Sequence, residues 1–129
     1  MNAAVIAGDV ARGITELEEA FPGRVSHDPD GAGGAYVIVE AINLGPRWTH
    51  PFAPLTLHLA YNYPASAIYP FYLPADVVPT DGSMPPVLQP VEWRGSNVIQ
   101  VSLRHTNWSP QLDNAVGSVM QTQSWLQRQ

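Results

Sequence analysis

The groups able to do covalent chemistry in this chain are hydroxyls, imidazoles and carboxylates. Among 129 residues there is no Cys, and all six basic residues are Arg, so there is no Lys. The missing thiolates exclude disulfides, zinc–thiolate sites, iron–sulfur clusters and a Cys nucleophile. The missing amines exclude Schiff-base chemistry and a P-loop lysine. One short constellation remains of interest: Ser102 with His105 three residues on, beside Arg104 and Gln100. A serine hydroxyl is a weak nucleophile until a base takes its proton, and His105 is the only base nearby. The plainer reading of the same residues is a strand serine and a loop histidine with no joint role.

The elements that must hold these residues follow from periodicity and punctuation. Val5, Ile6, Val10, Ile14, Leu17 and Phe21 recur at helical spacing and predict a helix stopped by Phe21-Pro22-Gly23. Gly8 and Gly13 weaken it by about 1 kcal/mol each. Residues 27–34, rich in Asp, Pro and Gly, predict a loop. The Val-, Ile- and Tyr-rich run over 35–44 predicts a strand that Gly45-Pro46 breaks. Leu55, Leu57, Leu59 and Tyr61 alternate with Thr56, His58 and Ala60, the mark of a half-buried antiparallel strand. His58 falls on its polar face and reads as solvated.

Seven prolines over 63–90 preclude a helix there. They predict a rigid folded loop with short extended pieces such as 68–73. Residues 98–103 predict a strand with Ile99, Val101 and Leu103 on one side and Val98, Gln100 and Ser102 on the other. Ser109 suits an N-cap and Pro110 a first helical position, opening a C-terminal helix. Its apolar stripe would be Trp108, Leu112, Ala115, Val116, Val119 and Leu126. Tyr61, Tyr63, Tyr69, Phe71, Tyr72 and Trp93 are expected mainly to pack the proline-rich loop on the sheet, with its tips open to a partner. The whole is one α+β domain over 1–129.

A net charge of −5 argues against nucleic acid as a partner. No apolar run approaches the roughly 18 residues of a membrane span. Residues 1–9 lack the basic start of a signal peptide, so a cytoplasmic location away from membranes is expected. His27, Asp28 and Asp30 match no metal-ligand spacing and read as turn residues, so neither a metal nor another cofactor is expected. Glu16, Glu18 and Glu19 lie at the end of their helix that the macrodipole disfavours for acids. They read as a solvated face or as a surface for a basic partner.

The order of these elements, with their punctuation, resembles the ubiquitin-conjugating-enzyme (UBC-like) superfamily. The stretch 55–64, ending in Tyr63-Pro64, is similar to that family's third strand and its Tyr-Pro signature. The stretch 69–74 resembles the proline-rich run that follows, with the Tyr-Pro dipeptide here duplicated. Trp108-Ser109-Pro110, then Leu112, Val116, Val119 and an ending at Leu126, resemble the family's Trp-Ser-Pro turn and the helix behind its active site. The likeness covers most of the chain and implies an N-terminal helix, an antiparallel meander and one C-terminal helix packed on the sheet. On this likeness the two further C-terminal helices of eukaryotic members are expected to be absent, as in compact bacterial members encoded beside adenylating enzymes and JAB-type peptidases. The partners so implied are a ubiquitin-like modifier, an adenylating (activating) enzyme and a JAB-type peptidase.

The family's chemistry has no purchase here. Its members carry the modifier as a thioester on a Cys, helped by a His-Pro-Asn motif whose Asn supports the oxyanion. The nearest match is Gln89-Pro90-Val91, and Val offers no donor for an oxyanion. Counted back from Trp108, the Cys position falls at Gln100 or Ile99. Three explanations stand open. In the first, the chain loads the modifier as an oxyester on Ser102, or failing that Ser96, with His105 as base, and Arg104 and His105 contact the modifier's C-terminus. In the second, it is an inactive variant that binds a modifier or serves as a scaffold, since fold does not dictate function. In the third, a catalytic Cys has been replaced by design. Beside these stands a generic α+β domain with no link to conjugation.

Overall fold

Helix α1 (Gly8–Ala20) forms because Val10, Gly13, Ile14 and Leu17 recur every three or four residues and share one buried stripe. The structure, a computed structural model, describes residues 5–129, so Ala3 and Ala4 of the apolar start lie outside it. The helix begins later than the spacing predicts. Val5 is exposed, and Ile6 forms an isolated parallel bridge with Gly33, where Ala7 N donates to Gly33 O at 2.8 Å.

Six strands follow: β1 (Val25–Pro29), β2 (Ala35–Asn43), β3 (Phe52–Leu59), β4 (Phe71–Pro74), β5 (Leu88–Trp93) and β6 (Ser96–Val101). They form one antiparallel sheet in the order β1-β2-β3-β4-β6-β5. The chain closes with α2 (Ala115–Gln127). This is an α+β fold, with a helix before the sheet and a helix after it. Among the described residues no helix is long and apolar enough to cross a membrane.

The period-two reading of the Leu55 segment is met as far as Leu59, whereas Tyr61 lies beyond β3 and is exposed. Leu55, Leu57 and Leu59 of β3 lie opposite Val39, Val37 and Ala35 of β2, and all six are fully buried. This face, with Val10, Ile14 and Leu17 of α1 and Val119 and Leu126 of α2, makes the core. Near its end β2 bulges between Val39 and Ile42. Ala41 there takes φ +56°, and Arg24 donates to the carbonyls of Glu40 and Ala41 at 2.9 and 2.8 Å. The guanidinium thus pairs carbonyls near the register shift.

The sheet is a meander only through β4, which pairs with β6 and not β5, and β6 ends at Val101, leaving Ser102 and Leu103 outside the strand predicted over 98–103. Three further differences from the sequence reading have local causes. His27, Asp28 and Pro29 belong to β1 rather than to a loop, because pairing with β2 outweighs their turn chemistry. Strand β5 was not expected in the proline-rich run. Pro90 is tolerated there because β5 is the edge of the sheet, where a missing N–H forfeits no ladder bond. Arg94 and Gly95 turn β5 into β6, both with positive φ as a two-residue hairpin loop requires.

The third difference is the start of α2. Its N-cap is Asn114, whose side chain accepts from Gly117 N at 2.9 Å, and not Ser109. Residues 109–113 make a turn of their own: Leu112 N and Asp113 N donate to Ser109 O, and Ser109 N donates to Asp113 Oδ2 at 2.7 Å. That turn throws Leu112 outward, 83% exposed, so it is not part of the apolar stripe.

Candidate functional site

The Tyr63-Pro64 turn, after β3, meets two segments more than forty residues further along the chain, beside α1. One is Trp108, after β6, and the other is the first turn of α2. Trp108 Nε1 donates to Pro64 O at 2.8 Å. Ala115 N donates to the Tyr63 hydroxyl at 2.7 Å in a buried position. Gly13 of α1 leaves the room the Tyr63 ring needs, since a Cβ there would come within 2.9 Å of the ring. Burial pushes the Tyr63 hydroxyl above its ordinary range, and the bond from Ala115 N only partly offsets this. Tyr63 therefore stays a neutral phenol. A cleft of about 170 Å³ opens at this junction, with Asp9, Arg12 and Glu16 from α1 facing Asp113. Arg12 is already paired with Asp9 at 2.7 Å, so the cleft keeps an acidic balance.

Ser102 follows directly on β6. Its backbone N donates to Val87 O at 2.8 Å, and its hydroxyl accepts from Gln100 Nε2 at 3.0 Å. Gln100 and Ser102 are thus brought together, as strand alternation suggests. Gln100 also lies directly opposite Gln89 in the β5–β6 ladder, whereas Ile99 points into the core. Ser96 sits at the other end of β6, exposed beside the hairpin turn.

Among the described residues His105 makes no hydrogen bond to Ser102. Its ring stands edge-on to Trp108 with centroids 5.3 Å apart, and its Nε2 lies 4.0 Å from Asp113 Oδ1. Its Nδ1 is buried and has no hydrogen-bond partner among the described residues. Arg104 lies flat against Tyr69, its guanidinium carbon 3.9 Å from the ring centre. The four residues singled out in the sequence therefore divide into a Gln100–Ser102 pair, an Arg104–Tyr69 stack and a His105–Trp108–Asp113 group.

A second cluster, on the sheet face away from the helices, had no signal in the sequence because its members come from separate strands and loops. His58 is not a free surface residue. Its Nε2 lies 2.7 Å from Asp30 Oδ2, and its ring stacks on Tyr36 at 4.6 Å. Arg94 covers Tyr36 at 3.7 Å, while Trp93 meets Tyr36 edge-on and stacks on Tyr72 at 3.8 Å. Burial alone would raise the Asp30 carboxyl. His58 and the amides of Ala32 and Gly34 outweigh it and hold the carboxyl below the usual carboxylate range. Asp30 is thereby committed to His58 and the backbone, while His27 and Asp28 are exposed on β1.

Core packing, expected for most of the aromatic-proline stretch, holds only for Tyr63 and Phe71; Tyr72 is buried against Trp93 on the outer face, Trp93 is half-buried, and Tyr61 and Tyr69 are exposed. Comparison of the chain with protein-family models, with curated proteins and with solved structures finds no match in any of the three.

Proposed function

We propose that the chain is a ubiquitin-conjugating-like domain that binds a ubiquitin-like modifier or its activating enzyme without taking the modifier covalently. The observation that carries the non-covalent reading is the state of Ser102. Its hydroxyl is bonded to the Gln100 amide, and the only base near it in sequence is turned to Trp108 and Asp113. A hydroxyl without a base is a poor nucleophile at neutral pH.

Support for the conjugating-enzyme likeness comes from the junction. The motifs on which it rests, Tyr63-Pro64 and Trp108-Ser109-Pro110, are joined to each other and to α2 by hydrogen bonds across more than forty residues of chain. The Gln89 and Gln100 positions, which the resemblance sets against the family's His-Pro-Asn motif and Cys, face each other across one ladder. A partner with a basic surface suits the acidic cleft beside α1.

The test is to incubate the chain with ATP, a ubiquitin-like modifier and that modifier's activating enzyme, and to read both a denaturing gel and a binding assay. The expected result is saturable binding with no adduct on the gel. A band that survives thiol, is cleaved by hydroxide and disappears in Ser102→Ala would replace this reading with the oxyester carrier. Neither binding nor adduct, with an activating enzyme shown to be charged, removes both and leaves a domain outside conjugation.

A further inference from the structure

Between α2 and the segment after β6 lies a small, partly open cavity of about 10 Å³. Ile68, Phe71 and Leu103 form its apolar wall. On the other side, α2 presents Ser118, Gln121 and Thr122, and His105 completes the lining. Among the described residues, two polar atoms at this cavity are buried without a hydrogen-bond partner: Ser118 Oγ and His105 Nδ1. Ser118 as a whole is 4% exposed. Buried polar atoms almost always have a partner, and two orphans lining one cavity is not a chance arrangement of the kind that apolar voids show.

The size and chemistry select the ligand. A space of roughly 10–15 Å³ of this kind accommodates a single water, provided two to four polar groups can bond it. Ser118 offers a donor and acceptor, His105 Nδ1 offers one or the other according to its tautomer, and Gln121 and Thr122 supply further polar groups. No organic ligand fits, and with no carboxylate in the lining a metal ion has no hard ligand set.

We infer that this cavity is a binding site for one ordered water, which bridges Ser118 Oγ and His105 Nδ1 and so ties α2 to the segment that follows β6. Ser118 acts through that water as a positioning residue for the His105 ring. With Nδ1 held by the water, Nε2 is the nitrogen left to face Asp113. The bridge also accounts for why a serine stands on the buried stripe of α2 among Ala115, Val119 and Leu126, and it holds whether or not the chain binds a modifier.

Two measurements on the full chain test it. A high-resolution crystal structure of the native protein should show a single density peak within hydrogen-bond distance of both atoms. Long-range nitrogen–proton NMR should show the His105 Nδ1 resonance of a hydrogen-bonded nitrogen, shifted in Ser118→Ala while the resonances of His27 and His50 stay in place. The inference is overturned if Ser118 Oγ instead donates to the carbonyl of Asn114 one turn earlier and the cavity holds no density. It is equally overturned if the His105 ring resonances are the same in the native chain and in a folded Ser118→Ala. Because the density on the native protein needs no variant, a Ser118→Ala that failed to fold would still leave the inference decided.

Discussion

Replacing Tyr63 by Phe removes one oxygen atom and measures how firmly the junction of α1, α2 and the Tyr63-Pro64 turn is held. Tyr63 is 6% exposed and its ring lies against Gly13 of α1. Phenylalanine keeps that packing, so the apolar contribution is nearly unchanged. What is lost is the acceptor for Ala115 N, 2.7 Å away on a residue with no exposure. Ala115 opens α2, so its N–H is one of those for which the helix itself has no carbonyl. The cap side chain cannot stand in, because Asn114 Oδ1 already accepts from Gly117 N. An amide left buried and unpaired costs about 1–3 kcal/mol. For a chain of this length each kcal/mol moves the thermal midpoint by roughly 3–5 °C. Urea unfolding followed by tryptophan fluorescence should show a lower midpoint with an unchanged slope. Amide exchange should show early loss of protection at Ala115. Because the phenol is neutral on both sides of pH 7, the loss should not vary across that range. A change below about 0.5 kcal/mol, the size of a neutral surface substitution, would show that the hydrogen bond does not hold the junction.

Three further outcomes follow from the same geometry. The depressed Asp30 carboxyl stabilises the fold above its unfolded pKa, and that stability is lost as pH falls through the folded value. Asp30→Asn should therefore cost about 1.5–3 kcal/mol at neutral pH, the range for hydrogen bonds to a charged group, and the gap to the native chain should close in acid, as read by urea titrations. Gly34→Ala should prevent folding or lower stability sharply, because its Cβ would meet the Leu59 carbonyl and Asp30 Oδ2, whereas Gly8→Ala meets nothing and should gain up to about 1 kcal/mol; circular dichroism melts separate the two. Ser102→Ala removes only the half-buried bond from Gln100 and should cost about 0.5–1.5 kcal/mol by chemical denaturation. On the non-covalent reading it should leave partner binding unchanged in calorimetry.

Much of the architecture was legible because it rests on local rules. The buried stripe of α1 and the alternation of β3 depend on helix and strand periods that any short window reveals. The errors fall where a distant segment outvoted local preference. Asp28-Pro29 has turn chemistry, yet β2 draws it into a strand. Ser109-Pro110 has the form of a helix start, yet Asp113 takes Ser109 N into a separate turn and Asn114 caps α2 five residues on. Strand β5 contains a proline that argues against a strand until its place at the sheet edge is known. Gly13 reads locally as a weak point of a helix; in three dimensions it is the space that the Tyr63 ring occupies.

For the candidate site the division is sharper. Composition by itself determined that no thiol and no lysine amine takes part in any chemistry here, because a residue type that is absent cannot be supplied by folding. Nearness in sequence also placed Gln100 beside Ser102, since alternate strand positions share a face. Whether Ser102 has a base was decided only by tertiary structure. Three residues along an irregular segment leave the direction of a side chain open, and packing against Trp108 and Asp113 turned His105 elsewhere. The same holds for His58, free on its strand when read alone and joined to Asp30 and Tyr36 once the β1–β2 connection folds over it. Pairings of this kind are set by which strands become neighbours, and no short window of sequence contains that information.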